Sequence, residues 1–194
     1  MGIFDKPKLR RGKKKKTDTV PDDLWAKCPD CGEMIHTLDL KQNYQVCTHC
    51  DHHFLMAAED RIGLLTDPDS FQETDPGLCS ANPLSFGKYD DKIALLKEKT
   101  NLTEAVVTGR ATIGRHPVMI AVMDFRFFAG SMGSVVGEKI TRAIELAVAE
   151  QRGMIIFSSS SGARMQEGLF SLMQMAKTCG ALSRLHNANL PYLS

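Results

Sequence analysis

The sequence predicts a mixed α/β domain preceded by a small zinc-binding module, and two observations support this architecture. Two Cys-x-x-Cys pairs stand close together near the N-terminus, and the second half of the chain twice shows a strand, a turn of small residues and a helix in that order. At 194 residues, the chain is long enough to bury a core beside a small appendage. We expect a basic tail over residues 1–24, a zinc ribbon over 25–56 and the α/β domain over 57–194.

The formal net charge of +1 conceals an uneven distribution of charge. Residues 1–16 hold eight Lys or Arg and one Asp, which leaves 16 basic and 22 acidic side chains in the rest of the chain. Residues 6–16 show no hydrophobic periodicity, so we expect the tail to be disordered. We interpret it as a solvated leader, because the run has no aromatic residue to stack on a base; weak binding to nucleic acid is the alternative.

No stretch of the sequence reaches the uninterrupted apolar length of a membrane span, and no apolar segment follows the basic N-terminus. The sequence therefore predicts a cytoplasmic protein without a signal peptide. We expect no interaction with a membrane.

The most specific local pattern is the two Cys-x-x-Cys pairs, which fifteen residues separate. This spacing is typical of a structural zinc site with four thiolate ligands, Cys28, Cys31, Cys47 and Cys50. Two disulfides or a redox pair are the alternatives, but stable disulfides are rare in the cytosol and two matched pairs do not fit a single redox motif. We therefore expect one structural zinc ion per chain. The metal must stabilise the segment, because so short a segment buries little apolar surface.

Residues 34–47, between the two pairs, alternate polar and apolar side chains, and we expect them to form the two short strands of a zinc ribbon. Gly32 follows the second ligand, where the turn needs a permissive backbone. Cys79 and Cys179 have no partner at ligand spacing, and we expect both to be small buried residues. Three histidines are expected to be exposed or to contact the ligands without binding zinc: His49, His52 and His53.

Residues 54–103 carry no recognisable chemical motif and connect the zinc module to the main domain. The pattern predicts one helix over residues 58–65, ended by an Asp-Pro pair. It predicts a second, amphipathic helix over residues 89–99, with acidic residues in its first turn and lysines towards its end.

The main domain opens with two predicted strands, over residues 105–113 and 118–125, joined by a Gly-Arg-His-Pro turn. A glycine-rich turn over residues 127–137 follows and opens a helix that runs to about residue 152. This turn matches neither GxxxxGK[ST] nor GxGxxG, so by itself it is compatible with ligand binding or with tight packing. The helix has an apolar face typical of core packing, made of Val136, Ile140, Ala143, Ile144 and Ala147.

The stretch at residues 154–168 is the central candidate for function in this sequence. The apolar run at 154–157 predicts a strand buried on both faces, and four serines and a glycine predict a turn that leads directly into a helix reaching about residue 186. Such a turn leaves main-chain N–H groups free to stabilise an oxyanion. The apolar stripe of the helix predicts core packing or a subunit interface: Met165, Leu169, Leu172, Met173, Ala176, Cys179 and Leu182.

Three motifs lie downstream of the four cysteines: GSMGSVVGEK at residues 130–139, SGARMQEG at 161–168 and SLMQMAK at 171–177. In this combination the chain, from about residue 25 to residue 194, resembles the β subunits of bacterial acetyl-CoA carboxylase carboxyltransferase. The cysteine motif favours this family over the related propionyl-CoA carboxylase and decarboxylase subunits. The resemblance implies a crotonase-like (ClpP/crotonase) fold of stacked strand-strand-helix units, of which residues 57–194 form the N-terminal part.

The resemblance also implies an enzymatic function, the transfer of the carboxyl group from carboxybiotin to acetyl-CoA, which yields malonyl-CoA for fatty acid biosynthesis. The implied partners are the carboxyltransferase α subunit, in a heterotetramer of two α and two β subunits, the biotin carboxyl carrier protein and biotin carboxylase. By family position, Gly162 and Ala163 lie at the thioester. Arg164 and Glu167 order the helix start as an exposed or paired polar set. Four residues shape the coenzyme A pocket: Gly130, Ser131, Gly133 and Gly137.

The chain departs from the family pattern in two respects. Ser161 stands where the family has a glycine, and a positive φ at a serine there would cost on the order of 1 kcal/mol. The family also continues past the position of Ser194, through a further glycine pair that completes the oxyanion site. We therefore expect a truncation within a strand, and a polypeptide that is inactive and poorly soluble by itself.

Two other functions compete with carboxyl transfer. The basic tail and the ribbon together suggest a zinc-ribbon regulator that binds nucleic acid, but this function leaves the glycine-rich turns unexplained. An enoyl-CoA hydratase of the same fold needs positioned carboxylates, and Glu167 is the one candidate near the turn. Carboxyl transfer needs no such pair, because biotin itself can take the proton while main-chain donors stabilise the enolate.

Overall fold

The computed structural model of the protein describes residues 24–194, so the predicted basic tail lies outside the described residues except for its last position. The chain divides into two compact units, with the boundary between Phe54 and Leu55. Each unit has its own cluster of buried side chains. None of the helices in this part of the chain combines the length and the apolar character needed to cross a membrane.

The first unit contains a two-stranded antiparallel sheet and a short helix. Strand β1 (Trp25–Lys27) pairs with β2 (Met34–His36), and helix α1 (Thr37–Gln42) follows at once. The helix begins there because the Nδ1 atom of His36 accepts a hydrogen bond from the N–H group of Leu38, at 3.2 Å. The prediction of two strands between the cysteine pairs is therefore wrong. Of the two strands described in this unit, only β2 lies there, and its partner β1 precedes the first pair.

The second unit is a five-stranded mixed sheet with helices on both faces. Its strands are β3 (Gln72–Thr74), β4 (Val106–Ile113), β5 (His116–Met123), β6 (Gly153–Phe157) and β7 (Tyr192–Leu193). They lie in the order β3-β4-β5-β6-β7; the first three are antiparallel, and β5, β6 and β7 are parallel. Its helices are α2 (Ala58–Leu65), α3 (Tyr89–Thr100), α4 (Ser134–Ala149) and α5 (Leu169–Asn187).

Strands β4 and β5 form the predicted hairpin, with a two-residue turn at Gly114 and Arg115. Both turn residues have positive φ, 56° and 69°, as in the type I′ turn that suits the twist of paired strands. Two crossover units, β5-α4-β6 and β6-α5-β7, then bring the parallel strands side by side. The predicted repeat of strand, turn and helix is thereby confirmed.

The sheet is packed on both faces, and β6 contributes to both. The apolar face of α4 is buried as predicted, in one cluster with Met154 and Ile156. Ile155 and Phe157 pack against a second cluster, which includes residues of α2. Strand β6 is therefore covered on both faces, as its apolar run predicted, and it carries the following turn out of a rigid core.

Helix α5 turns polar residues inwards and most of its apolar stripe outwards. Ser171, Gln174 and Thr178 are buried. Four large apolar side chains of the stripe are exposed, with exposed fractions of 73% for Met165, which precedes α5, 69% for Leu169, 60% for Leu172 and 56% for Met173. Leu182 is partly buried and packs against the main core cluster. The exposed residues, named here the apolar face of α5, do not enter the core, which leaves for them the other predicted role of a subunit interface.

Cys79 and Cys179 are exposed, so the prediction that both are buried is wrong. Cys79 lies in the loop between β3 and α3, and Cys179 lies on the outward side of α5. A cysteine is buried only where its element turns that position inwards, and the spacing of cysteines does not reveal this.

Candidate active site

The turn after β6 exposes the backbone of Gly162 and Ala163. Gly162 has a φ of 117°, a conformation that residues with a side chain rarely adopt. Ser161 is not among the residues with positive φ, so the serine at this position carries no such strain. A 3₁₀ turn over Met165–Glu167 separates the exposed backbone from α5. The prediction that the helix follows the turn directly is therefore corrected.

The peptide group between Gly162 and Ala163 is fixed by the segment that precedes α4. The N–H group of Met132 donates to the carbonyl oxygen of Gly162 at 2.8 Å, and the N–H group of Arg164 donates to the carbonyl oxygen of Met132 at 2.9 Å. Because the C=O and N–H groups of a trans peptide point in opposite directions, the N–H group of Ala163 points away from Met132. It has no acceptor among residues 24–194. Ala163 therefore offers one oriented main-chain donor.

The N–H group of Gly162, unlike that of Ala163, already has an acceptor within the protein. It donates to the Oγ atom of Ser160 at 3.1 Å. A ligand must displace this hydroxyl before it can bind the Gly162 N–H group. Of the two donors that the sequence predicted, Ala163 is the one in place.

Two cavities meet at this turn, and Ala163 lines both. The polar cavity has a volume of about 410 Å³, and the apolar cavity has a volume of about 400 Å³. The polar cavity is named for its charged and polar lining, which includes Lys92, Arg126, Ser131, Ser161 and Gln166; Leu96, Phe128 and Met165 line it as well. The apolar cavity is lined by residues that include Met123, Met132, Gly162, Leu172 and Met175. A ligand that reaches Ala163 can therefore extend into surroundings of either character.

No carboxylate among the described residues lines either cavity. Glu167 is fully buried and accepts hydrogen bonds from the hydroxyl groups of Tyr89, at 2.6 Å, and Ser80, at 2.8 Å. Burial works against its charge, but the hydrogen bonds from Ser134 and Tyr89 hold the pKa of Glu167 below its ordinary value. With its oxygens engaged, Glu167 is not placed to exchange a proton with a ligand at Ala163. The hydratase hypothesis thus loses its one candidate carboxylate.

Glu167 also determines what the N-terminus of α4 can bind. Its Oε2 atom accepts a hydrogen bond of 2.6 Å from the N–H group of Ser134, the first residue of α4. A carboxylate in this position satisfies a free donor and offsets the positive end of the helix dipole. The glycine-rich turn before α4 therefore leads into a capped helix rather than an open anion site.

Arg164 is the largest fully buried side chain described, and it links the two turns. Its guanidinium pairs with both carboxylate oxygens of Glu104, at 2.6 and 2.9 Å, and donates to the carbonyl oxygen of Ser131 at 2.8 Å. Burial disfavours the charge, but the hydrogen bonds to Glu104 raise the pKa of Arg164 above its ordinary value. Of the two alternatives predicted for Arg164 and Glu167, exposed or paired, the structure supports the paired one.

Three consecutive residues within the glycine-rich turn have left-handed backbone conformations: Phe128 with φ 46°, Ala129 with φ 51° and Gly130 with φ 67°. Gly130 is also required for space, because a Cβ atom there would overlap the backbone that follows β6. At Phe128 and Ala129 the same conformation costs roughly 1–2 kcal/mol each. The ring of Phe128 is held between Lys92 and Arg164, whose cationic groups each lie 4.9 Å from its centroid.

Replacing Ala129 with glycine should raise the free energy of unfolding by about 0.5–1 kcal/mol. The substitution relieves the left-handed strain, which exceeds the entropy that glycine adds to the unfolded chain. Thermal unfolding of the two proteins measures the difference. Ala176→Gly, in the exposed part of α5, is the matched control and should lower the stability by about 1 kcal/mol. An equal loss of stability in Ala129→Gly and Ala176→Gly would show that the backbone of Ala129 is not strained.

The four cysteines of the first unit converge on one point. Their sulfur atoms lie within 4.8 Å of one another, and the sulfurs of Cys28 and Cys50 and of Cys31 and Cys47 are separated by 3.6 and 3.8 Å. Zinc with bonds of about 2.3 Å to tetrahedral sulfur ligands separates these ligands by about 3.8 Å, so the cluster fits the metal. Gly32 has the predicted permissive conformation, with φ 77°.

The neighbouring histidines lie outside this cluster. His49 and His53 are exposed, and the Nδ1 atom of His52 forms a hydrogen bond with the Oδ2 atom of Asp30 at 2.9 Å. Because all four cysteines converge, the zinc site has no position left for a histidine or for a catalytic water.

Comparison with known proteins finds a matching domain family for each of the two units. Residues 56–194 match the carboxyl transferase domain, and residues 25–50 match the acetyl-CoA carboxylase zinc finger domain. The acetyl-coenzyme A carboxylase carboxyl transferase subunit beta of Desulforamulus reducens is 49% identical over 200 residues, which cover 99% of this chain and 69% of that protein. The chain belongs to the family of acetyl-CoA carboxylase carboxyl transferase β subunits.

Clostridial members of this family are about as similar in sequence to this chain. The β subunit of Clostridium kluyveri is 50% identical over 179 residues, or 92% of this chain, and the match spans about 62% of the length of that relative. A Clostridium tetani protein named as carboxyl transferase subunits beta/alpha is 50% identical over 175 residues, which cover 90% of this chain and 30% of that protein.

Solved structures of carboxyl transferases and a decarboxylase share the fold of this β-subunit family chain. Transcarboxylase 12S, with methylmalonyl-coenzyme A and methylmalonic acid bound, has a TM-score of 0.60 at 30% identity over 68% of this chain and 24% of that chain. A Pseudomonas malonate decarboxylase hetero-tetramer in complex with malonate has a TM-score of 0.54 at 25% identity over 69% of this chain and 48% of that chain. The predicted crotonase-like fold behind a four-cysteine zinc ribbon is confirmed.

The residues predicted to shape a coenzyme A pocket in this β-subunit family chain lie in two environments. These residues are Gly130, Ser131, Gly133 and Gly137. Ser131 lines the polar cavity, whereas the three glycines are buried and line neither cavity. A Cβ atom at Gly133 would meet the side chain of Glu167, and one at Gly137 would overlap Gln174 of α5. Close packing therefore accounts for the lack of a side chain at both positions.

Sequence reasoning missed three members of the buried network: Ser80, Tyr89 and Glu104. Glu104 is 60 residues from its partner Arg164, and Tyr89 is 78 residues from Glu167. No motif joins positions so far apart. One local signal exists, since Glu104 lies two residues before β4, beside an apolar run, where a buried acid needs a partner.

Proposed function

We propose that the chain forms part of the β subunit of an acetyl-CoA carboxyltransferase, which moves the carboxyl group from carboxybiotin on a carrier protein to acetyl-CoA and yields malonyl-CoA. One observation carries the proposal. The N–H group of Ala163 is oriented by its neighbours, has no acceptor within residues 24–194 and lies between two cavities that contain no carboxylate. This arrangement suits a reaction that needs an oxyanion donor from the protein and no acid–base pair.

The proposed reaction transfers one carboxyl group and one proton. The N–C bond of carboxybiotin breaks, which releases carbon dioxide and leaves a ureido anion. This anion takes a proton from the methyl group of acetyl-CoA, and the enolate so formed makes a C–C bond to carbon dioxide. Between the loss of the proton and the formation of the C–C bond, the thioester oxygen carries the negative charge. A hydrogen bond from the Ala163 N–H group stabilises that charge, and a donor of this kind contributes roughly 3 kcal/mol.

The surroundings of Ala163 support a role in binding the acyl-CoA. Ser131 lines the polar cavity together with Lys92, whose positive charge suits the phosphate groups of coenzyme A. Arg126 lines the same cavity, but its guanidinium is paired with the carboxylate of Asp124. Gly162 supplies the second proposed donor, once a ligand has displaced the hydroxyl group of Ser160. The three buried glycines of the predicted pocket act indirectly, because they let the segments around Ser131 and the turn approach closely.

We infer that the apolar face of α5 binds the carboxyltransferase α subunit, in an assembly of two α and two β subunits. Such a surface is unfavourable in water and is typical of a contact between proteins. Leu172 and Met175 of α5 also line the apolar cavity, so a partner docked there would cover the ligand site. The Clostridium tetani relative is named for both subunits. The biotin carboxyl carrier protein and biotin carboxylase complete the proposed set of partners.

Replacing Leu172 with aspartate should weaken the association with the α subunit by about 100-fold, because a charge would be buried in an apolar contact. Sedimentation velocity with the purified α subunit measures the change. Leu95→Asp places the same charge on an exposed leucine of α3 and should leave the association unchanged. If Leu172→Asp lowered the thermal stability of the isolated β subunit and bound the α subunit normally, the face would instead pack within the β polypeptide.

The proposed activity is tested by carboxyl transfer in the assembled enzyme. A full-length β subunit that contains this sequence, the α subunit and carrier protein carboxylated with labelled carbon dioxide are combined with acetyl-CoA. The expected result is labelled malonyl-CoA that appears only when the β subunit is present. Hydration of crotonyl-CoA without any carboxyl transfer would contradict the proposal.

A further inference from the structure

We propose that Tyr89 is a positioning residue for the Ala163 donor, a role that rests on the proposed carboxyl transfer. Tyr89 is the first residue of α3, and only 1% of it is exposed. Its hydroxyl group donates to the Oε1 atom of Glu167 at 2.6 Å and accepts a hydrogen bond from the Nη1 atom of Arg164 at 3.2 Å. One hydroxyl group therefore joins the two charged side chains that follow Ala163 in the chain.

The contacts of Arg164 transmit this restraint to the donor. Its guanidinium holds the carbonyl oxygen of Ser131 at 2.8 Å and the Oγ atom of Ser131 at 3.2 Å. The next residue, Met132, exchanges backbone hydrogen bonds with Gly162 and Arg164. The direction of the Ala163 N–H group is set by this exchange, so it depends on where the guanidinium holds the Ser131 segment.

The contacts of Glu167 fix the other side of the same segment. Glu167 accepts from Tyr89, from Ser80 and from the N–H group at the start of α4. Tyr89 therefore restrains the segment before α4 both through Arg164 and through Glu167. Removal of its hydroxyl group would loosen both attachments and leave the Glu104–Arg164 pair in place.

Tyr89 acts through these neighbours and does not touch the reacting atoms. It is buried and lines neither cavity. Burial and the hydrogen bond to Glu167 raise the pKa of Tyr89 to about 12, so the hydroxyl group stays protonated at neutral pH. A loss of rate on its removal should therefore leave the shape of the pH–rate profile unchanged.

The test uses Tyr89→Phe in the enzyme assembled with the α subunit and carboxylated carrier protein. A misaligned donor weakens binding of the transition state more than binding of the substrate. We therefore expect kcat to fall about tenfold and the KM for acetyl-CoA to change by less than about twofold. Hydrogen exchange provides a readout that does not need activity. The backbone N–H groups of Met132 and Arg164 should exchange about tenfold faster than in the unsubstituted protein.

Thr108→Val is the matched control, because it removes a buried hydroxyl group that bonds Thr74 between β3 and β4, away from the turn. It should leave kcat and the exchange of Met132 and Arg164 unchanged. Ser80→Ala removes one donor to Glu167 from an exposed loop and should lower kcat by a smaller factor, which keeps the test valid if Tyr89→Phe folds poorly.

A kcat of Tyr89→Phe equal to that of Thr108→Val, or a rise in KM alone, would overturn the positioning role. Absence of malonyl-CoA formation by the unsubstituted assembly would overturn the proposed function instead. In that case faster exchange at Met132 and Arg164 in Tyr89→Phe still supports the positional restraint, and unchanged exchange refutes it.

Discussion

Removal of zinc should unfold residues 25–54 and leave residues 55–194 folded. The first unit buries few side chains besides Cys28 and Cys47, chiefly Ile35 and Leu40. So small a cluster cannot offset the conformational entropy of about thirty residues. The metal supplies the difference, which is of the order of 10 kcal/mol in comparable zinc-finger peptides. The second unit has its own core and no part in the zinc site, so it should remain folded.

This prediction is measured by zinc content and by the dispersion of backbone NMR signals before and after chelation. Cys47→Ser should lose the metal and the dispersed signals of the first unit. Cys79→Ser is the matched control, because Cys79 is exposed and lies outside the cluster, and it should retain one zinc ion per chain. A first unit that keeps its dispersed signals without zinc would contradict a structural role for the metal.

The buried pair of Arg164 and Glu104 gives the second large effect. Arg164→Met should lower the free energy of unfolding by about 3–5 kcal/mol, because Glu104 is left as a buried charge without its partner. Glu104→Leu should lower the free energy of unfolding by a similar amount, because Arg164 is then left as a buried charge without its partner. The double variant should recover most of the loss, since apolar side chains then replace both charges.

Denaturant unfolding of the four proteins completes this double-mutant cycle. Carboxyl transfer should remain low in the double variant although stability returns, because methionine cannot donate to the carbonyl oxygen of Ser131 as Arg164 does. Additive losses of stability in the double variant would show that the two charges do not compensate each other.

Local signals account for much of what the sequence predicted about the fold. Helix α2 spans residues 58–65 as predicted, and the β4–β5 hairpin follows from two apolar runs around Gly114. Such elements depend on periodicity and turn chemistry within a few residues. Helix α1 was missed because its start depends on a side-chain cap from His36 rather than on an apolar pattern.

The candidate site was predictable in its chemistry but not in its geometry. The family motif pointed to Gly162 and Ala163, yet only the structure distinguishes the engaged N–H group of Gly162 from the free one of Ala163. The direction of the α5 apolar stripe was undetermined for a similar reason. The same spacing fits a helix that faces the core and one that faces a partner, and packing of Gln174 at Gly137 decides between them.

The most direct measurement replaces the N–H group of Ala163 with an ester oxygen, by incorporation of lactic acid at position 163. The side chain stays the same, and the folded protein loses no hydrogen bond within the described residues, because this N–H group has no acceptor there. The Gly162 carbonyl becomes an ester carbonyl, which accepts the hydrogen bond from Met132 more weakly, so we expect a small fall in melting temperature. We expect a kcat for malonyl-CoA formation about 100- to 1000-fold lower in the assembled enzyme. A kcat equal to that of the unsubstituted enzyme would contradict the role of Ala163 as the oxyanion donor.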